Sequence, residues 1–162
     1  MYILDTNSLS EVFRHGITTL LGSRIASVPS PKVNLRVTVV TYEEMLAGRI
    51  IQLAKDPKKN PRLEPLYNRY SLLEQTYIEL RRYYPPLPFD VNAQAVFNAI
   101  PKKVRDQAKV LDCRIAAIAV AHDFTVITAN QKDFIKIKKE IGVKWDDWTI
   151  ADPSLVPEQA AK

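Results

Sequence analysis

Cysteine is almost absent: Cys113 stands alone among 162 residues. A single thiol cannot close an internal disulfide and excludes every cysteine-built zinc site, which fits a reducing compartment. Glycine is scarce too. Gly16, Gly22, Gly48 and Gly142 lie too far apart to shape a loop around phosphate, so neither a P-loop nor a dinucleotide-binding turn is present. With two histidines, His15 and His122, and no G-x-S-x-G, an acyl-transfer triad is not expected. No apolar run approaches the roughly 18 residues of a membrane span. A secretory leader needs a basic start and then an apolar stretch, and Asp5 interrupts that pattern. The chain is expected to be cytoplasmic, and its chemistry must rest mainly on carboxylates.

What is present suits one folded domain. The length is enough to bury a core without staples, and 46% hydrophobic with 25% charged residues is ordinary for a globular protein. The domain is expected over residues 1–150, with 151–162 a patternless tail carrying Pro153 and Pro157 that should fray. The net charge of +5 and pI near 9.3 favour polyanions, because neutralising phosphates releases condensed counterions.

Along the chain, "YIL" (2–4) has the character of a short buried strand. Ser8 and Glu11 have capping-box spacing for a helix ending near Gly16, and a second helix is expected over 17–27. "VNLRVTVV" (33–40) is β-branched and partly alternating, hence a strand, after which Thr41 opens a helix over 42–55. "DPKKNPRLEP" (56–65) is a connector. Leu66, Tyr70, Leu73, Tyr77 and Leu80 recur at helical spacing, predicting a long amphipathic helix over 63–83. "YPPLPF" (84–89) breaks it, Asp90 caps a helix to about Ile100, and 101–109 is a basic turn or short helix. Residues 111–124 form a helix apolar on most sides, 125–128 a strand, 130–139 a short helix and 143–148 a last strand. Strands alternating with helices imply an α/β fold with a mainly parallel sheet, whose function lies beyond the carboxyl ends of its strands.

Four acids stand near such ends, each with a local alternative. Asp5 follows the first strand but also suits an Asx-turn or helix cap. Thr41-x-x-Glu44 is a capping-box pattern, and Asn130-x-x-Asp133 resembles a cap. Asp112 begins the most apolar helix, where a carboxylate must be hydrogen-bonded, paired or metal-bound, although capping would also satisfy it. In a parallel sheet the ends of strands 2–4, 33–40 and 125–128 share one edge, which gathers all four. Four converging carboxylates repel one another, and a hard divalent cation relieves that repulsion. Mg²⁺ or Mn²⁺ so held activates water and steadies charge on a phosphoryl oxygen. Asp5 is then a ligand, and Thr6 and Asn7 orient it or its waters.

"LDTN" (4–7), "TYEEMLAG" (41–48), "LDCRIAAIAVAHDFTVITANQKDF" (111–134) and "DW" (147–148) together resemble the PIN domain, specifically the VapC-type ribonuclease toxins of toxin–antitoxin pairs. The resemblance implies a three-layer α/β/α sandwich and one or two Mg²⁺ or Mn²⁺ ions held by Asp5, Glu44, Asp112 and Asp133. Glu44 is preferred to Glu43 because the family's acid stands four residues before a glycine, here Gly48. Thr128 and Asn130 match supporting polar positions. The implied substrate is RNA and the implied partners are a small VapB-like antitoxin and a second copy of the chain. Residues 56–89 make a longer helical hairpin than the simplest members have, and Cys113, where other small or apolar residues are common, is read as packing.

Basic residues fall into three clusters: Lys55, Lys58, Lys59 and Arg62; Lys102, Lys103 and Arg105; Lys136, Lys138 and Lys139. The third begins three residues after Asp133, so it and Arg114 are the candidates for gripping phosphate, against the alternative of solvated helix faces. Tyr67, Tyr70, Tyr77, Tyr83 and Tyr84 suit core or dimer packing, or base stacking. The leading reading is a metal-dependent endoribonuclease toxin. Rivals are a PIN nuclease acting on DNA or in RNA processing without an antitoxin, and a non-catalytic scaffold, which four intact acids disfavour. A receiver domain wants an acidic pair after the first strand and a dehalogenase-type phosphatase wants D-x-D, whereas position 7 is Asn.

Overall fold

The computed structural model describes residues 1–56, 58–60 and 63–151; the expected tail from Asp152 onward and Arg62 of the first basic cluster lie outside these. Five strands, β1 (Tyr2–Leu4), β2 (Leu35–Thr38), β3 (Pro86–Leu87), β4 (Thr125–Ile127) and β5 (Lys144–Asp146), form one sheet in the order β3-β2-β1-β4-β5. Every neighbouring pair is parallel, with Ile3 opposite Arg36 and Val126, Val126 opposite Trp145, and Val37 opposite Pro86. The chain steps outward from central β1 to β3, then returns to the other side of β1. The switch point therefore lies between the ends of β1 and β4, where open parallel sheets form a crevice.

Helices separate the strands: α1 (Thr6–His15), α2 (Leu20–Ser27), α3 (Pro31–Asn34), α4 (Val39–Leu53), α5 (Leu66–Tyr83), α6 (Val91–Ala99), α7 (Lys102–Gln107), α8 (Val110–Ala121) and α9 (Gln131–Ile141). The alternation of strand side chains divides the interior into two cores. Ile3 and Val126 face a core built with Ala93, Ile115, Ile118, Phe134 and Ile137 from α6, α8 and α9. Leu4 and Ile127 face a second core with Leu9, Leu21, Ile25 and Leu80 from α1, α2 and α5. This is the three-layer α/β/α sandwich. Within α8, residues Ile115 to Ala119 are all at most 1% exposed, as its uniform apolarity predicts, and its alanines let α6 approach closely.

Several boundaries differ from the sequence reading. Asp5, not Ser8, caps α1, accepting from the Ser8 N–H at 2.6 Å; Ser8 lies inside the helix and donates to the Ile127 carbonyl at 3.0 Å. The strand expected over 33–40 is only four residues long, because Pro31 starts a short helix before it and Thr38 caps α4 after it. The Thr38 Oγ1 accepts from the Thr41 N–H at 3.1 Å, so the Thr41–Glu44 capping box does not form and the Glu44 carboxylate is left free for other work. "YPPLPF" contains β3, an edge strand in which a proline can do without its missing N–H. The last strand is trimmed to 144–146.

Of the stripe on α5 only Leu80 is fully buried core. Leu66, Tyr67, Tyr70 and Tyr77 are exposed, and the helix instead buries Arg69, Thr76 and Leu80. Periodicity misleads here because α5 packs mainly on α4 and reaches the second core only near its end through Leu80, so only one narrow face is covered. Arg69 is 5% exposed and donates to the carbonyls of Gln52, Leu53 and Lys55 at 2.6, 3.3 and 3.2 Å. It therefore satisfies the orphan carbonyls at the end of α4 and opposes the negative end of the helix dipole. Arg69→Met should lower stability by about 2 kcal/mol, since charged hydrogen bonds contribute more than neutral ones; a shift of the urea midpoint at constant m-value checks it.

Candidate active site

At the switch point, β1 ends in Leu4 and β4 in Ile127, and the next residue of each strand turns inward. Asp5 is 3% exposed and Thr128 1%. One Asp5 carboxylate oxygen accepts from the Ser8 N–H, and the other accepts from the Thr128 hydroxyl at 2.5 Å. Thr128 Oγ1 in turn accepts from the Asn130 N–H at 2.9 Å. Asp5 is thus both the cap and the buried acid that the sequence reading had set against each other. Burial pushes its pKa up, with the nearby Asp147 charge adding to that; the bonds from Thr128 and Ser8 pull it partly back.

The other acids arrive from separate elements. Glu44, in the second turn of α4, accepts a hydrogen bond from the Thr6 hydroxyl on α1. Asp112 lies in the first turn of α8 and Asp133 in that of α9, and the Asn130 side-chain amide bridges them, donating at 2.7 and 3.1 Å. Lys136 stands 3.3 Å from Asp133. The Asp112 pKa is pushed up to about 6, chiefly by burial. Lys109 opposes this, while the charges of Asp5, Asp133 and Glu44 reinforce it. The charges of all three other acids are therefore near enough to act on Asp112. The Cys113 thiol is fully buried with its pKa raised to about 11, by burial first and Asp112 next, which keeps it protonated and inert.

The donors are all oxygens with an excess of negative charge, which suits a hard divalent cation rather than a soft one. Among the described residues no three Asp, Glu, His or Cys side chains close around a point as a ready-made cage. A cation with few protein ligands that keeps several waters, as Mg²⁺ does, is the kind this arrangement suits.

The remaining sequence candidates are dispersed. Asn7 is exposed and makes no hydrogen bond to the described residues, and Thr6 serves Glu44 rather than Asp5. Lys136 sits at the acids, whereas Lys138 and Lys139 are exposed in the last turn of α9, at the far end of the helix from Asp133. Arg114 is half-buried two residues beyond Asp112. One acid was missed. Asp147 is 7% exposed just past β5 and accepts from Gln131 Nε2 at 3.0 Å and from the Thr149 N–H and hydroxyl. Burial works to raise its pKa, but those bonds and the Arg24 charge outweigh it and hold it below the ordinary value. Its signal is the "DW" (147–148) of the resemblance, to which no site role attaches when 143–148 is taken as strand.

The same fold occurs in solved toxin–antitoxin structures. A chain of FitAB bound to an IR36 DNA fragment matches with a TM-score of 0.71 and 22% identity, over 94% of this chain and 98% of that one. A chain of FitAcB from Neisseria gonorrhoeae matches at 0.66 and 23%, over 91% and 98%. One of VapBC-1 from nontypeable Haemophilus influenzae matches at 0.65 and 19%, over 92% and 98%. No family model matches the sequence, and no curated protein matches it. At these identities the likeness establishes the PIN-like fold.

Proposed function

We propose that this protein is a metal-dependent endoribonuclease and the toxin of a VapBC-type toxin–antitoxin pair, cytoplasmic, homodimeric and held inactive by a small antitoxin. The observation that carries the reading is Asp112. It is a half-buried carboxylate pushed up to about 6 at the switch point, with three further acids acting on it. Such a cluster opposes folding unless it serves a cation, and the fold it occupies is shared with chains of FitAB and VapBC complexes. A basic chain suits a nucleic-acid substrate.

In this reading Asp5, Glu44, Asp112 and Asp133 hold Mg²⁺ or Mn²⁺, which when bound supplies an activated water and charge stabilisation at the phosphoryl group. The chain's own residues set the geometry. Thr128 locks the Asp5 carboxylate while Ser8 anchors its other oxygen. Asn130 clamps Asp112 to Asp133, and Thr6 ties Glu44 on α4 to α1. These outer contacts fix the ligand oxygens before any ion arrives, which lowers the ordering cost of binding.

The test is cleavage of total RNA by the purified chain with Mg²⁺ or Mn²⁺, with chelator, and after Asp5→Asn. Metal-dependent cuts that disappear in both controls are expected. The substituted amide can still accept from Ser8, so the variant should fold normally. Cleavage that persists with chelator present would remove the metal mechanism.

A further inference from the structure

Gly48 is hard to account for by structure alone. It lies inside α4, where glycine weakens a helix relative to alanine. A Cβ there would meet nothing within 4 Å, so no close packing demands its absence, and its backbone is not left-handed. The space it leaves open belongs to a cleft of ≈ 300 Å³ between α1 and α4, bounded by Thr6, Phe13, Arg14, Glu44, Gly48 and Arg49. The cleft is therefore lined by one of the four acids and by two arginines.

The charges on its walls are unevenly satisfied. Among the described residues no carboxylate lies within ion-pair distance of Arg14 or Arg49, whereas Lys136 at the acids is already paired with Asp133. Arg14 is exposed, and Arg49 is held by its Nε to Thr76 Oγ1 at 3.2 Å, which leaves its terminal nitrogens without a partner among the described residues. A guanidinium fixed at one nitrogen and free at the others is prearranged for phosphate. Four clustered carboxylates would by themselves repel a polyanion, so something must draw the strand to them. These two arginines are the cations next to Glu44 not already committed to a carboxylate.

We propose that the cleft is a binding track for single-stranded RNA, in which Arg14 and Arg49 grip backbone phosphates and Gly48 leaves room for the strand to pass. The occupant is a single strand of polynucleotide rather than a duplex or a protein: at ≈ 300 Å³ the cleft has no room for a duplex, the two arginines on its walls have no carboxylate partner among the described residues, and Glu44 of the acid cluster lines it. The proposal rests on the nuclease reading for its substrate class, and it names residues outside the acid set.

The experiment uses the full chain carrying Asp112→Asn, so that RNA is not consumed, and reads fluorescence anisotropy of a labelled single-stranded oligoribonucleotide across a salt series. Arg14→Ala and Arg49→Gln should each weaken binding about 3- to 10-fold and flatten the salt slope by about one. Gly48→Leu should weaken it by more than about 10-fold, as expected for filling a phosphate track, with an unchanged or raised melting temperature. No measurable binding, or binding indifferent to both Arg14→Ala and Gly48→Leu, overturns the track. So does a result in which those variants lose only a protein partner. Loss of binding in a protein that cleaves no RNA under any metal would keep the track and discard the nuclease. Cleavage that needs Asp5 while binding ignores the cleft would do the reverse.

Discussion

Replacing Asp112 by Asn is expected to reduce metal-dependent RNA cleavage by more than about 100-fold. In chelator at neutral pH it should also raise the melting temperature by about 4–8 °C, given a chain of this length. The two effects share one cause. The Asp112 pKa stands near 6 in the folded chain against an ordinary value of 3.8. Below the lower value both states are protonated and no penalty exists. As pH rises between the two, the unfolded chain releases its proton first, so stability falls; above about 6 the full penalty applies. The shift corresponds to about 3 kcal/mol at most, and on the order of 2 kcal/mol once the solvent reaching this half-buried side chain is allowed for. Asn removes the charge yet still offers an oxygen to the Asn130 amide that now donates to Asp112 at 2.7 Å. Thermal melts of both proteins in chelator, between about pH 4 and 7, provide the check. Wild type should lose stability across that range relative to the variant. Parallel pH profiles would mean that neither burial nor the neighbouring acids raise the Asp112 pKa in the folded chain.

The layered fold was legible because its signals are local and strong. The run of small apolar residues after Asp112, the β-branched "TVIT" and the opening "YIL" each specify an element without help from distant contacts. The acids were legible for a related reason, since carboxylates just past strand ends in a parallel sheet have one edge to share. What could not be read depends on partners far along the chain. The Thr6–Glu44 bond spans 38 residues and that between Thr128 and Asp5 spans 123, so the sequence could not say that Thr6 serves Glu44. Thr38 displaced Thr41 as a cap because β2 ends early, a matter of register against β1 rather than of propensity. Nothing local marks Arg69 for burial, because its role depends on α4 ending against it. The tyrosines of α5 have a core-like period, yet α5 packs mainly on α4, and no pattern within a helix reveals how much of it its neighbours cover.

Gly22→Ala should be strongly destabilising, because of the four glycines it is the one at which an added methyl meets other atoms. Gly22 sits in the first turns of α2, its N–H donating to the Thr19 hydroxyl at 3.1 Å. A Cβ at that position would lie 2.0 Å from the Gly16 carbonyl oxygen, 2.8 Å from Ile17 Cα and 2.9 Å from the Gly16 carbonyl carbon. All three are backbone atoms, so no rotamer change relieves the clash and either α2 or the Gly16 turn must move. Gly16 itself is left-handed, at φ 58°, and its N–H closes the end of α1 on the Val12 carbonyl. The turn is therefore pinned on the other side. Moving α2 instead withdraws Leu21, Ile25 and Val28 from the second core. A loss of about 3 kcal/mol or more is expected, the upper end of what overpacking costs. The same substitution at Gly48, where a Cβ meets nothing, should stabilise by about 0.5–1 kcal/mol through helix propensity alone. Urea midpoints of the two variants should move in opposite directions. Equal midpoints would mean that the α1–α2 turn can give way. Because α1 also carries Thr6 to Glu44 and Asp5 as its cap, slack in that turn would loosen the acid cluster as well.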